Sequence, residues 1–228
     1  MIGIFDSGEG GLNTLGFLRR RLPMTNIIFL RDRQHAPYGE RSREELIEIT
    51  EQNIAMLKSL GADRILIACC TASSLADEID LSLRQNVIPI LEPTAEAARA
   101  VAEGGIAVIA TDFTVHSRAF SRALRGLPVT EIATQPLVEA VESGERDGEL
   151  SAASVKQIDS TLSSVPSDCD TLILGCTHFS SLRGTLRERA SLRGIKNVID
   201  SAEIGAEALL GALGGADEGL GLTYRLTT

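Results

Sequence analysis

Two cysteines stand at equivalent positions in the chain, each directly after an apolar run that predicts a buried strand. Cys69 follows the run at residues 64–68, and Cys176 follows the run at residues 171–175. Runs of this kind are typical of parallel sheets that are covered on both faces. Open α/β sheets bind their ligands at the carboxyl ends of such strands. One cysteine there would indicate a nucleophile or a base, whereas two in matching contexts predict one thiol on each side of a substrate.

The residues that follow the two cysteines bear on the state of the thiols. Small hydroxyl residues follow in both places, Thr71 after Cys70 in the first and Thr177 in the second, as they do at a helix N-terminus, where the helix dipole would favour the thiolate. His178 lies two residues after Cys176 and could steer the proton of that thiol. Small apolar core residues are the alternative interpretation of both cysteines. A zinc site that adds Cys70 and His178 is a further alternative, but no C-x-x-C pairing supports it.

A Gly-rich segment at residues 6–12 follows the first predicted strand. It fits neither the Walker pattern nor the Rossmann fingerprint, and its two carboxylates would repel a phosphate. Glycines at such a place let backbone amides approach a substrate carboxylate. Asp6 is a candidate proton partner for a thiol in the cleft, and a turn or cap residue is the alternative.

The composition argues against several classes of partner. The 228-residue chain has a net charge of −9, 4% aromatic residues and no Trp, which disfavours nucleic-acid binding. No apolar run approaches the roughly 18 residues of a membrane span. The N-terminal residues lack a basic segment and turn acidic at Asp6, which favours a cytoplasmic protein over a secreted one. Four cysteines in a chain of this length do not make a disulfide scaffold.

Short apolar runs alternate with helical patterns along the chain, which is the signature of an α/β fold. Helices are predicted at residues 42–59, 93–102 and 151–163, and Ser42 with Glu45 forms a capping box at the start of the first. A Gly-rich stretch at 211–222 predicts a loop before a final short strand. The other predicted strands cover residues 2–5, 26–30, 64–68, 87–91, 106–110, 131–133, 171–174 and 197–199.

The two halves of the chain present similar features in the same order. Each opens with a strand that ends in a polar turn, near Asp6 and near Thr111, and each reaches a strand-end cysteine after a nearly equal interval. The pattern predicts two similar lobes, each a mostly parallel sheet flanked by helices, with the active site in the cleft between them. The N-terminal lobe is predicted to comprise residues 1–91 and 202–228, and the C-terminal lobe residues 92–201.

Several groups of residues, spread over residues 1–202, together carry a family resemblance. They are Asp6-Ser7-Gly8 with Gly10-Gly11-Leu12, Asp32 with Pro37-Tyr38-Gly39, Ala68-Cys69 with Thr71-Ala72-Ser73, Glu92-Pro93, Gly175-Cys176-Thr177-His178 and Asp200-Ser201-Ala202. Their types and their order resemble the glutamate racemase family, within the wider aspartate/glutamate racemase superfamily. The resemblance implies a cofactor-independent amino-acid racemase that supplies D-glutamate for peptidoglycan and needs neither metal nor pyridoxal phosphate.

The resemblance also implies roles for individual residues. Cys69 and Cys176 would be the two acid/base groups, with Asp6 and His178 as their proton partners. Asp32 would support the site, and Glu139 resembles an acidic residue near the second thiol. A homodimer is a further expectation. Contacts to the amino acid are predicted for Ser7, Tyr38, Gly39, Cys70, Thr71, Thr111, Thr114 and Thr177.

The chain departs from the family pattern where the substrate would be recognised. Cys70 stands where the family usually has an Asn that contacts the polar α-groups of the substrate, and a thiol is a poor replacement for that amide. The segments at 133–135 and 179–182 also differ from the usual motifs. Two alternatives to glutamate racemisation therefore stay open: a racemase for another acidic amino acid such as aspartate, and a two-lobed ligand-binding protein without catalysis. The decarboxylase and isomerase relatives fit less well, because some of them use a single cysteine.

Overall fold

A computed structural model describes residues 1–214 and 218–228 of the chain, so residues 215–217 of the predicted Gly-rich loop lie outside the described residues. The strands are β1 Ile2–Asp6, β2 Ile27–Arg31, β3 Arg64–Ile67, β4 Val87–Pro89, β5 Gly105–Ala110, β6 Val129–Ala133, β7 Cys169–Gly175, β8 Asn197–Asp200 and β9 Thr223–Thr227. The helices are α1 Gly10–Arg21, α2 Arg43–Ser59, α3 Cys70–Ser73, α4 Leu81–Arg84, α5 Leu91–Val101, α6 Asp112–Ser117, α7 Ala119–Ala123, α8 Gln135–Glu142, α9 Ala152–Ser163, α10 Arg183–Ser191 and α11 Ser201–Ala212. Short 3₁₀ helices cover Tyr38–Glu40, Ala76–Glu78 and Thr177–Leu182.

The strands form two parallel sheets. The first has the order β4-β3-β1-β2-β9 and the second the order β6-β5-β7-β8. Every described strand pair is parallel. The predicted α/β class, with two mostly parallel sheets flanked by helices, is confirmed.

Most predicted elements lie where the hydrophobic pattern placed them. The capping box at the start of α2 is present, because Ser42 accepts from the Glu45 N–H and Glu45 accepts from the Ser42 N–H. The strand predicted at 87–91 ends earlier, since Leu91 already begins α5. The final short strand is β9, whereas residues 211–212 of the predicted loop belong to α11.

Both sheets are covered by helices on both faces. Every residue of β1 and β5 is buried, as expected for central strands of parallel sheets. Alternate side chains of the first sheet enter two separate clusters, with Phe5 on the α2 side and Ile4 on the side of α1 and α11. The second sheet divides its side chains in the same way. The lobe boundaries predicted from the sequence remain a prediction.

The carboxyl ends of the strands of both sheets face one shared cavity. Asp6 and Arg31 end β1 and β2, and Cys69 follows β3. From the second sheet, Thr111 follows β5 and Cys176 follows β7. Among the described residues, no helix combines the length and the apolar character that crossing a bilayer requires.

Candidate active site

A cavity of about 300 Å³ lies between the two sheets. Both strand-end thiols line it, one from each sheet, and so does the imidazole of His178. The structure thus brings together residues that are far apart in the sequence. The predicted site residues that line the cavity are Asp6, Ser7, Tyr38, Gly39, Cys69, Cys70, Thr71, Thr111, Cys176, Thr177 and His178.

The Cys69 thiol occupies the position just before α3. Its Sγ lies 3.5 Å from the Ser7 Oγ, and the residue is 7% exposed. Burial raises the pKa of this thiol to about 11, and the charge of Asp6 acts in the same direction. The N–H groups of Ala72 and Thr71 and the Ser7 hydroxyl lower the pKa, but by less.

The Cys176 thiol has an imidazole as its nearest polar partner. Its Sγ lies 3.5 Å from His178 Nδ1, and the residue is also 7% exposed. Burial raises the pKa of Cys176 well above its ordinary value, the neighbouring Cys70 adds to the shift, and the His178 N–H opposes it. The predicted preference for the thiolate is therefore wrong for both cysteines. The helix after Cys69 has four residues and the one after Cys176 is a 3₁₀ helix, so their dipoles are weak against burial.

Asp6 contacts the segment that follows the second thiol although it belongs to the first sheet. Its Oδ1 accepts from the Gly8 N–H at 2.8 Å, and its Oδ2 accepts from the Thr177 hydroxyl at 2.9 Å. Burial raises the pKa of this carboxyl, while His178, the Gly8 N–H and Thr177 oppose the rise. A carboxyl with a raised pKa holds a proton closer to neutral pH, which suits a proton partner of a thiol.

The role predicted for Glu139 is wrong, and Glu142 takes that place. Gln135, Val138 and Glu142 line the cavity from positions i, i+3 and i+7 of α8, which form one face of a helix. Glu139 lies on another face and is exposed. Glu142 Oε1 contacts His178 Nε2, and this hydrogen bond lowers the pKa of Glu142 to about 2 against the opposing effect of burial.

Thr114 does not contact the cavity, contrary to the prediction. It is fully buried behind the two hydroxyls that do line the wall, and its Oγ1 lies 2.9 Å from Thr111 Oγ1 and 3.3 Å from Thr71 Oγ1. Its N–H also donates to Thr111 Oγ1. Thr114 therefore orients Thr71 and Thr111 and is out of reach of a ligand.

Asp32 is also behind the cavity wall, where it holds Tyr38. Its Oδ2 accepts from the Tyr38 hydroxyl at 2.7 Å and from Asn53 Nδ2 at 3.1 Å. Its Oδ1 accepts from the Thr228 hydroxyl at 3.0 Å, and His35 Nδ1 lies 2.9 Å from both oxygens. Burial raises the pKa of Asp32, but these hydrogen bonds outweigh burial and leave the pKa below its ordinary value. Asp32 therefore does not line the cavity but contacts Tyr38, which does.

Arg31, Arg33 and Glu142 are charged residues that line the cavity and were not predicted. Arg31 forms ion pairs with Glu9 and with Glu142, the latter at 3.5 Å, and the Glu9 N–H donates to Glu142 Oε1 at 3.0 Å. Arg33 lines the cavity as well. No sequence motif marks these residues, because their role depends on the contact between β2 and α8, which are more than a hundred residues apart.

The glycines at residues 6–12 allow neighbouring segments to pack closely, and they also leave room for a ligand to approach the backbone. A Cβ on Gly10 would meet Thr177 Oγ1 and would lie 2.8 Å from the His178 backbone nitrogen. A Cβ on Gly11 would lie 2.5 Å from the Asp6 Cβ and 2.8 Å from Phe29. The first turn of α1 can therefore pack directly against the loop that carries Thr177 and His178.

The arrangement supplies acid/base chemistry from two sides. Cys69 has Ser7 as its neighbour, Cys176 has His178 backed by Glu142, and Asp6 reaches the second thiol's loop. Within the described part of the chain, all four cysteines are free, and no group of three or more His, Cys, Asp or Glu side chains is placed to hold a metal ion.

Comparison with known proteins gives a consistent result. Residues 18–209 match the family described as Asp/Glu/Hydantoin racemase. The chain is 36% identical over 212 residues to the glutamate racemase of Aquifex aeolicus, covering 91% of this chain and 81% of that protein. It is 39% identical over 191 residues to the glutamate racemase of Desulforudis audaxviator, covering 81% and 69%. The crystal structure of Thermus thermophilus glutamate racemase in complex with β-chloro-D-alanine superimposes with a TM-score of 0.85 at 33% identity, over 100% of this chain and 87% of that one.

Proposed function

Because the chain belongs to the Asp/Glu/Hydantoin racemase family, we propose that it interconverts L- and D-glutamate by a two-base mechanism without a cofactor. The observation that carries the proposal is the pair of thiols in one cavity, one after β3 and the other after β7. A racemase must remove a proton from one face of the α-carbon and return a proton to the other face. Two acid/base groups from two separate sheets meet that requirement.

The proposed proton transfers use the neighbours of each thiol. In one direction the Cys69 thiolate takes the α-proton and the Cys176 thiol gives its proton to the opposite face. In the other direction the two cysteines exchange these roles. Both thiols have raised pKa values, so a nearby base must accept the proton of the attacking thiol. The hydrogen bond of Asp6 with Thr177 and the contact of His178 with Cys176 support that role for Asp6 and His178, and Glu142 would stabilise the protonated imidazole.

The biological setting follows from the same proposal. D-glutamate made in this way would supply peptidoglycan synthesis, which places the enzyme in the cytoplasm. Four free cysteines suit such a reducing compartment. A homodimer and an acidic amino acid as the small-molecule partner belong to the proposal as well.

A second substrate is favoured by one specific observation. Cys70 lines the cavity, and its Sγ lies 3.5 Å from the hydroxyl of Ser201, so the wall there offers a weakly polar thiol. This chemistry would suit a racemase for a different acidic amino acid, such as aspartate. Turnover of a panel of amino acids, followed by circular dichroism, separates the two substrates.

The mechanism is tested by isotope exchange and by variants of the thiols. In deuterium oxide, each enantiomer of glutamate should acquire deuterium at the α-carbon as it is converted. Cys69→Ala and Cys176→Ala should each abolish racemisation, whereas Cys169→Ala, at the amino end of β7, should leave it intact. An alkylating agent should abolish activity, and a chelator should not change it. Full activity in either Cys69→Ala or Cys176→Ala would overturn the two-base mechanism.

A further inference from the structure

We propose that Ser180 and Asp200 form a positioning pair that holds His178 beside the Cys176 thiol. The inference rests on the proposed function and deepens it, since it adds positioning residues to the second acid/base group. Ser180 lies in the segment at 179–182, which departs from the family pattern, and Asp200 begins one of the motifs that carry the resemblance. Neither of these two described residues lines the cavity, so each can act on the reaction only through another residue.

The 3₁₀ helix that carries His178 has three distinct faces. A 3₁₀ helix has three residues per turn, so side chains three positions apart lie on the same face. Phe179 and Leu182 share the apolar face, which is fully buried in the hydrophobic core on one side of the second sheet. Thr177 and Ser180 share the next face, and His178 lies on the third. The position of the imidazole therefore depends on how this helix is rotated about its axis.

Two buried carboxyl groups fix that rotation, one from each sheet. Thr177 donates its hydroxyl to Asp6 Oδ2 at 2.9 Å, and Asp6 is the last residue of β1. Ser180 donates its hydroxyl to Asp200 Oδ2, and Asp200 is the last residue of β8. Asp6, Asp200 and Ser180 are all buried. Removal of one of these hydroxyls would leave a buried carboxyl short of a partner, which is costly, so both contacts restrain the helix.

Asp200 is itself held firmly at the carboxyl end of the second sheet. Its Oδ1 accepts from the Ala202 N–H at 3.0 Å, so Asp200 is the N-cap of α11. In the sheet it is the register partner of Leu174 in β7, the strand that leads to Cys176. Asp200 therefore fixes the helix that carries His178 relative to the strand that places the thiol.

This geometry predicts an effect on one of the two proton transfers. His178 Nδ1 lies 3.5 Å from the Cys176 sulfur, whereas the Cys69 sulfur has the Ser7 hydroxyl as its neighbour. Rotation of the 3₁₀ helix would change the first contact and leave the second as it is. Proton transfer at Cys176 should therefore become slower when the restraint is lost, while proton removal by Cys69 should not.

Isotope effects test this expectation independently of the amount of folded protein. The values of kcat, KM and the primary isotope effect are measured with α-deuterated L- and D-glutamate on the full chain and on Ser180→Ala. We expect kcat to fall about tenfold for both enantiomers, since each conversion uses Cys176 once, and KM to change less than about twofold. The isotope effect should rise only for the enantiomer that Cys176 deprotonates. Ser180→Thr, which keeps the hydroxyl, should recover most of kcat.

The position of His178 can also be measured without turnover. The chain has three histidines, so NMR can follow the imidazole signals of His35, His116 and His178 one by one. In Ser180→Ala the His178 signal should shift, because the imidazole moves relative to its neighbours. The signals of His35 and His116 should stay where they are in the unmodified protein.

The matched control removes a hydroxyl elsewhere in the same half of the chain. Ser191 is exposed at the end of α10, and its hydroxyl donates to the Glu188 carbonyl at 2.7 Å. Ser191→Ala should leave the kinetics, the isotope effects and the imidazole signals unchanged.

The outcomes separate the positioning role from the proposed function. Unchanged isotope effects with an unmoved His178 signal in Ser180→Ala, or an equal rise of the isotope effect for both enantiomers, would overturn the positioning role. Racemisation of glutamate by the unmodified protein would then leave the proposed function standing. If the unmodified protein does not racemise glutamate, the proposed function fails, and the His178 signal alone decides whether Ser180 and Asp200 position the imidazole.

Discussion

Cys69 and Cys176 are equally buried, yet their polar surroundings differ. Cys69 has a hydroxyl and two backbone N–H groups near its sulfur, whereas Cys176 has the imidazole of His178. An N–H or O–H donor can stabilise a thiolate but cannot accept its proton, whereas an imidazole can do either. Burial is nevertheless the largest cause of the raised pKa of both thiols.

The raised pKa of Cys69 predicts how its rate of alkylation changes with pH. With a pKa of about 11, the thiolate fraction should rise about tenfold per pH unit from pH 7 to 10. The rate of carbamidomethylation of the Cys69 peptide, followed by mass spectrometry in a Cys176→Ala background, should rise in the same proportion. A free cysteine peptide, with a pKa of about 8.5, serves as the reference because its rate levels off above pH 9. A plateau below pH 9 for Cys69 would contradict the raised pKa.

Cys70 predicts a gain of activity on substitution. Cys70→Asn would place an amide at the cavity wall, next to the Ser201 hydroxyl that now lies 3.5 Å from the thiol. One added hydrogen bond to a charged substrate group is worth roughly 1.5–3 kcal/mol, so kcat/KM for glutamate should rise about tenfold or more. Steady-state kinetics on glutamate and aspartate measures the change. No gain for glutamate, together with better turnover of another amino acid by the unmodified protein, would mean that glutamate is not the substrate.

At the scale of elements, the site depends on how closely α1 approaches the loop at Thr177–Leu182. The asparagine Asn13 in α1 donates to the Thr177 carbonyl at 2.9 Å and to the Ser181 hydroxyl at 3.1 Å. Gly10 lies in the same contact and has no room for a side chain. The first turn of α1 therefore sets the position of Thr177 and His178.

This contact predicts that Gly10→Ala impairs catalysis. The added methyl would push Thr177 away from Asp6 and shift the His178 backbone, and a displacement of about 1 Å in an active site can cost about a hundredfold in rate. Gly16→Ala is the matched control on the same helix, because a Cβ there comes no closer than 3.9 Å to the flexible Arg20 side chain. It should keep full activity and stabilise the helix by about 0.5–1 kcal/mol. Normal activity in Gly10→Ala would show that the loop is free to move without loss.

At the scale of the whole molecule, ion pairs between charged side chains connect the two sheets beside the cavity. Arg31 ends β2 of the first sheet, Glu9 directly precedes α1, and Glu142 comes from α8 beside the second sheet. Glu142 is also the partner of His178. The ionic contact that joins the two halves is therefore coupled to the imidazole beside Cys176.

Arg31→Gln tests this coupling. Loss of the guanidinium leaves Glu9 and Glu142 to repel each other, so amide hydrogen exchange in α8 and in Thr177–Leu182 should become faster and kcat/KM should fall. The free energy of unfolding should change by less than about 1 kcal/mol, because all three side chains are partly exposed and surface ion pairs contribute little. Arg193 is exposed and lies between α10 and β8, away from these contacts, so Arg193→Gln is the control for the loss of one positive charge. Unchanged hydrogen exchange and unchanged kinetics would show that the Arg31 contacts do not hold the two halves together.

The amino-acid sequence by itself determined where the helices and strands lie and which types of residue follow the strands. Apolar runs such as the one before Cys69, and caps such as Ser42 with Glu45, depend on residues within one turn or one strand, so they can be predicted from local pattern. The α/β class and the two strand-end thiols followed from that pattern. The same pattern predicted their pairing across one substrate, and the family resemblance added the amino-acid racemase chemistry.

Only the tertiary structure decided which side chains reach the cavity and how their protons are held. Glu142 lies on the cavity face of α8 while Glu139 does not, and Thr114 lies behind Thr71, because packing between distant segments sets the rotation and depth of each element. The thiol pKa values rise for the same reason. Burial comes from the whole fold, and its desolvation cost exceeds what a single turn of helix after Cys69 can offset.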